Sequence, residues 1–172
     1  SSRPNTANDI WGHVDLNTGD EYALIGLRNG VAVVNVTDPE NPIEVDTIDG
    51  ANSTWRDIKV YQYFDSSINA WQAYAYATID SPNNHVSIIN LNQLPNSVSL
   101  TENNQEVRKA HNVYISNVDH SLNIALPGLT PSLQLIGSDK FGGAFISYSL
   151  KTPSTLTRMS NSYFGSGYTH DG

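Results

Sequence analysis

The pattern of apolar and polar positions is strongest over Gly30-Val31-Ala32-Val33-Val34-Asn35-Val36-Thr37-Asp38-Pro39-Glu40-Asn41-Pro42. A nearly continuous apolar run ends there in a Pro-clamped turn, and Ile43-Glu44-Val45-Asp46-Thr47-Ile48 follows with apolar and polar residues alternating. Successive side chains of a strand point to opposite faces, so this reads as a strand buried on both sides followed by an outer strand with one wet face. Two weaker copies recur. His85 to Leu91 leads through Pro95 to Ser97-Val98-Ser99-Leu100, and Ala144 to Leu150 leads through Pro153 to Thr155-Leu156-Thr157.

Two further strand-like runs precede each copy. In the first round they are Ile10 to Val14 and Tyr22 to Leu27, joined by a hairpin at Asp15 to Asp20 in which Gly19 supplies a positive φ. In the second they are Trp55 to Tyr61 and Trp71 to Thr78; the latter alternates Ala with Tyr, leaving one face small enough for a neighbouring sheet to approach closely. In the third they are Ala110 to Ile115 and Leu122 to Leu126, which leaves Pro127 to Gly142 as a long loop with Leu129, Leu133, Leu135, Ile136 and Phe141 to bury. A fourth start, Tyr168-Thr169-His170-Asp171-Gly172, closes the sequence.

Aligned on the first apolar strand residue, the four starts are Val14, Ile58, Val113 and Gly172, separated by 44, 55 and 59 residues. No stretch has helical periodicity. Repeats of this length built from four short strands predict an all-β chain, a β-propeller of four-stranded antiparallel blades. The reading is a linker over 1–7, blades over about 8–50, 51–103 and 104–162, and the start of the next over 163–172. A double-sheet sandwich accounts for the strands but not for the repeat. Propellers have about four to eight blades, so the ring is incomplete here. The remaining blades are expected in the same polypeptide, with other chains as the alternative.

Composition narrows the function. At 172 residues the chain has room for one domain with a real core, and its net charge of −8 with a pI near 4.8 would repel nucleic acid and anionic membranes. No segment is apolar enough to insert directly in a bilayer. The absence of cysteine excludes disulfides, Cys-ligated zinc and thiol catalysis.

The run Val31 to Pro42 resembles the repeat of the LVIVD-repeat proteins, also called choice-of-anchor B proteins, with Asn35 where that family usually has Asp. Asn8-Asp9-Ile10-Trp11-Gly12, Glu21 to Leu27, Trp55-Arg56-Asp57-Ile58-Lys59-Val60, Ala110-His111-Asn112-Val113-Tyr114-Ile115 and Tyr168-Thr169-His170-Asp171 are similar to family segments in the family's order. The resemblance implies a bacterial β-propeller, secreted or anchored at the cell surface through a segment C-terminal to the propeller. It implies no defined enzyme activity.

The alignment of starts puts His13, Asp57, Asn112 and Asp171 at one equivalent position, and Gly12, Arg56, His111 and His170 at the position before it. In a propeller such positions form a ring at one mouth of the central channel. Arg56, Asp57, His111, Asn112, His170 and Asp171 are the candidate ligand-binding residues. His13, Asp57, His111 and Asp171 offer oxygen and nitrogen donors to a divalent cation, calcium or zinc. The alternative is a structural network in which these groups satisfy one another. Asp15 to Glu21 has oxygens at alternate residues like a calcium loop, but it lacks the distal bidentate Glu, so an ordinary hairpin is expected. No nucleophile elbow, phosphate loop or His-Glu-x-x-His motif occurs. Two functions follow as expectations. One is a non-enzymatic surface module that recognises a protein or glycan; the other is a metal-dependent, lactonase-like hydrolase built on the ring.

Overall fold

The computed structural model describes residues 7–81, 85–104, 109–137 and 145–162. The chain is all-β, with antiparallel sheets and no helix among the described residues. The first sheet is β1 (Ala7–Val14), β2 (Glu21–Leu27), β3 (Gly30–Asn35) and β4 (Ile43–Asp49), each strand paired with the next. The second runs through β5 (Ile58–Asp65), β6 (Ala70–Ala77), β7 (Val86–Asn90) and β8 (Ser99–Asn104) in the same meander. The third consists of β9 (Asn112–Ser116), β12 (Ser132–Ile136), β13 (Phe145–Ser149) and β14 (Thr157–Ser162). Between β9 and β12 a short hairpin, β10 (Val118–Asp119) and β11 (Ile124–Ala125), crosses to the second sheet, where Ile124 pairs in parallel with Gln62 of β5.

Turn chemistry explains the boundaries. Asp15 caps the first hairpin by accepting the Thr18 and Gly19 amides on its carbonyl, and Gly19 sits at φ +84 as the sequence predicts. At Gly30 a Cβ would run into the Ile48 carbonyl of β4, so only glycine lets β3 and β4 close there. In every sheet the pairing of the third strand with the fourth carries one register shift, at Val33/Val34, Ile88/Ile89 and Ser147/Tyr148. Such a bulge increases local twist.

The sheets stack face to face. One cluster joins Tyr22, Leu24, Val31 and Val33 of the first sheet to Ile58, Val60, Ala73, Ala75, Ala77 and Ile89 of the second. The other joins Tyr61, Tyr74, Tyr76 and Ile88 to Val113, Ile115, Leu133, Leu135, Ile146 and Tyr148 of the third. The Ala/Tyr alternation of β6 therefore works as expected, its small face under the first sheet and its aromatic face under the third. The first strands adjoin, β1 against β5 and β5 against β9.

Two sequence expectations are corrected. The second strand of the third sheet is β12, not 122–126, and Leu133, Leu135 and Ile136 are strand core rather than loop residues. Alternation alone could not choose between the two runs; packing does, because Leu133 and Leu135 reach the core beside Tyr76 whereas residues 117–125 are drawn off to the edge of β5. The predicted start of a fourth blade, with His170 and Asp171, lies outside the described residues.

Candidate functional site

The starts of β5 and β9 and the first half of β1 meet at one end of the sheets. Asp9 Oδ2 accepts the Ile58 amide at 2.9 Å, and one sheet further on Asp57 Oδ2 accepts the Val113 amide at 2.8 Å. Asn8 Oδ1 accepts the Arg56 amide at 2.9 Å, while its Nδ2 donates to the Thr54 carbonyl at 2.9 Å. The Trp55 indole donates to Asn112 Oδ1 at 3.1 Å, again reaching the next sheet. Side chains just before one sheet's apolar run thus satisfy backbone donors of the next.

These groups line a cleft of about 280 Å³ together with Lys59 and Tyr114. Lys59 Nζ sits 2.5 Å from Asp57 Oδ1 and 4.2 Å from the centre of the Trp11 ring. Burial raises the Asp57 carboxyl above its usual range, against the opposing pull of Lys59 and the Val113 amide. Trp55 lies flat on His111, with ring centres 4.5 Å apart and planes 11° apart, and keeps 37% of its surface exposed. Tyr114 is 43% exposed.

His111 Nδ1 is 2.8 Å from Asp80 Oδ2, and Lys109 Nζ is 2.8 Å from Asp80 Oδ1. Burial alone would raise the Asp80 carboxyl, but bonding to Lys109 and His111 outweighs it and holds the group below its ordinary value.

Of the residues singled out in the sequence, Arg56, Asp57, His111 and Asn112 come together at this end, but only Asp57 and Asn112 line the cleft. Arg56 turns away into the protein, 1% exposed, where Nε donates to the Leu27 carbonyl at 3.0 Å and Nη2 to the Ala51 carbonyl at 2.8 Å. No carboxylate among the described residues pairs with it. Burial alone lowers it to about 10, so it stays charged at neutral pH.

His13 does not share the position of Asp57. It stands four residues along β1 from Asp9, facing Tyr22, whereas Asp9 does for the second sheet what Asp57 does for the third. By sequence Val14 is the counterpart of Ile58, but in the structure Val14 lies beside Gln62, whose side-chain amide donates to its carbonyl at 2.9 Å. The signal that identifies the register is Asn8-Asp9-Ile10, Arg56-Asp57-Ile58, His111-Asn112-Val113: an oxygen-bearing residue directly before a branched apolar one. Among the described residues no group of three or more His, Asp or Glu side chains that could hold a metal ion is present, and Asp171, the fourth residue singled out for a cation, lies outside them.

Because the Asp9 carboxylate satisfies a backbone donor of the neighbouring sheet, Asp9→Ala should cost about 1–2 kcal/mol in urea unfolding. Asp9→Asn retains an acceptor and should recover most of it.

Asn8, Asp9, Trp55 and Asp57 of the cleft thus each bond to a neighbouring sheet, Lys59 is held on Asp57, and the Trp55 and Tyr114 rings keep over a third of their surface exposed. No family model and no curated protein matches the chain.

Proposed function

We propose that the three sheets are blades of a β-propeller completed by further blades, and that the chain acts as a non-enzymatic interaction module, secreted or at the bacterial cell surface. It recognises a protein or glycan through the end that carries the Asp57 cleft. The blade reading is supported by three like meanders stacked face to face with their first strands adjoining. The location follows the resemblance to LVIVD-repeat proteins.

One observation carries the choice of binding over catalysis: the Asp9 and Asp57 carboxylates are tied to the Ile58 and Val113 amides of the next sheet. A carboxylate that accepts a buried amide and pairs with Lys59 is a poor general base and a poor metal ligand. Partly exposed aromatic rings beside Asn amides suit a sugar or peptide surface better.

Elemental analysis of protein purified with and without chelator, with assays on ester and lactone substrates, tests this. The expected result is a folded protein without stoichiometric calcium or zinc and without turnover. On an array of immobilised glycans and cell-surface proteins, Trp55→Ala should weaken binding at least about tenfold. Stoichiometric metal with chelator-sensitive turnover would overturn the reading in favour of a metal-dependent hydrolase.

A further inference from the structure

A second recess, of about 210 Å³, lies on the seam between the first two sheets at the other end of β1. His13 and Asp15 enter it from the end of β1, Gln62 from β5, Trp71 from β6 and Asn92 from the turn after β7. Its walls are pinned. The Asn17 side-chain amide donates to the Trp71 carbonyl at 3.0 Å and accepts the Trp71 amide at 2.8 Å, and Asn92 Oδ1 accepts the Ala73 amide at 2.6 Å.

On two residues that line it, a buried atom has no hydrogen-bond partner: Gln62 Oε1 and His13 Nδ1, on side chains 1% and 3% exposed. The orientation of the Gln62 amide is not free. Its Nε2 donates to two carbonyls, Val14 at 2.9 Å and Leu122 at 2.5 Å, so turning the group over would set oxygen against oxygen. An acceptor is what remains.

Asp15, 8% exposed, adds the carboxylate of the recess. Its Oδ1 takes the backbone and side-chain N–H groups of Asn17 at 2.9 Å, whereas Oδ2 takes only the Thr18 hydroxyl at 3.4 Å. No Lys or Arg lines the recess. Burial lowers His13 to about 4 against the opposing effect of Asp15, so at neutral pH its imidazole is uncharged and Nδ1 is able to accept a hydrogen bond. The recess is therefore bordered by two buried acceptors without partners and by a carboxylate, with no Lys or Arg beside them, and unpaired buried acceptors are costly.

We infer that this recess is a binding site for a small primary ammonium ion, whose three N–H groups answer Gln62 Oε1, His13 Nδ1 and the Asp15 carboxylate. An ammonium group carries three donors and no acceptor, matching the three acceptors Gln62 Oε1, His13 Nδ1 and Asp15. A hard divalent cation fits less well, because it takes about six to eight oxygens and here one of the three groups is an imidazole nitrogen and only one is a carboxylate. This site is separate from the Asp57 cleft and independent of its function.

The probe is methylammonium chloride, titrated at neutral pH and followed by the NMR shifts of His13, Gln62 and the Trp71 indole. The expected result is saturable one-to-one binding, weakened at least about tenfold in His13→Phe and in Asp15→Asn. His13→Phe keeps a ring beside Tyr22, and Asp15→Asn keeps an acceptor for Asn17, so either variant decides the matter if the other fails to fold. Shifts that do not saturate, an equal response to methanol or sodium chloride, or unchanged affinity in a folded variant would overturn the site and leave a water-filled recess.

Discussion

Arg56→Ala should lower stability by about 4 kcal/mol and the thermal midpoint by about 10 °C. Two effects combine. The substitution empties the volume of a fully buried side chain and strips the Leu27 and Ala51 carbonyls of their donors. Each buried carbonyl left unpaired costs about 1–3 kcal/mol. Arg56→Met separates the two effects, since it fills much of the space and restores neither hydrogen bond; about half the loss should remain. Because no carboxylate faces the guanidinium among the described residues, the cost should be the same in low and high salt, whereas an ion pair would be screened. A loss under 1 kcal/mol, or one that salt abolishes, would contradict this account of a side chain that fastens Ala51 and Leu27 together from inside.

His13 makes the second large effect, and it depends on pH. Burial holds the imidazole at about 4, against 6.5 for an unburied His. The neutral form is favoured in the fold, so this contribution is fully present above pH 6.5. It is lost as pH falls from there through about 4, because the unfolded chain takes up the proton first. The full shift corresponds to about 3 kcal/mol. Urea titrations of the protein and of His13→Phe at pH 7, 5.5 and 4 should show the variant gaining on the parent by roughly that amount as pH drops. Parallel curves would mean that His13 is protonated in the fold or solvated there.

Much of the architecture is legible in the residues. The run from Gly30 to Ile48 specifies a buried strand, a turn and an outer strand, and these are β3 and β4 within a residue or two. Ala73, Ala75 and Ala77 against Tyr74 and Tyr76 specify which face admits a close neighbour. What could not be read is which of two apolar runs pairs with β9. Leu122 to Leu126 alternates as well as Ser132 to Ile136 does, and only the contacts that Leu133 and Leu135 make with the second sheet separate them. Local pattern holds no information about a partner about sixty residues away.

The candidate site was legible in part for a related reason. Asp57 and Asn112 belong together because each precedes a first-strand apolar residue, and the structure joins them in one cleft. His13-Val14 has the same outward form, polar then branched, and so drew the alignment four residues past Asp9. A strand of eight residues offers several such pairs, and only the amide that each carboxylate reaches, Ile58 or Val113, fixes the register. The engagement of Arg56 with carbonyls instead of a ligand was equally invisible, since the sequence gives the guanidinium and not its surroundings.

The excursion between β9 and β12 has a consequence for how the molecule is assembled. Asn123 takes the Trp11 indole on its side-chain oxygen, donates to the Gly12 carbonyl, and accepts the Gln62 amide on its own carbonyl. Residues separated by 111 and 112 positions are tied by a single amide group. During synthesis, which runs at about 5–20 residues per second, β1 therefore waits for a stretch made several seconds later before its last hydrogen bonds can form. The N-terminal meander gains its last hydrogen bonds only after Asn123 has left the ribosome.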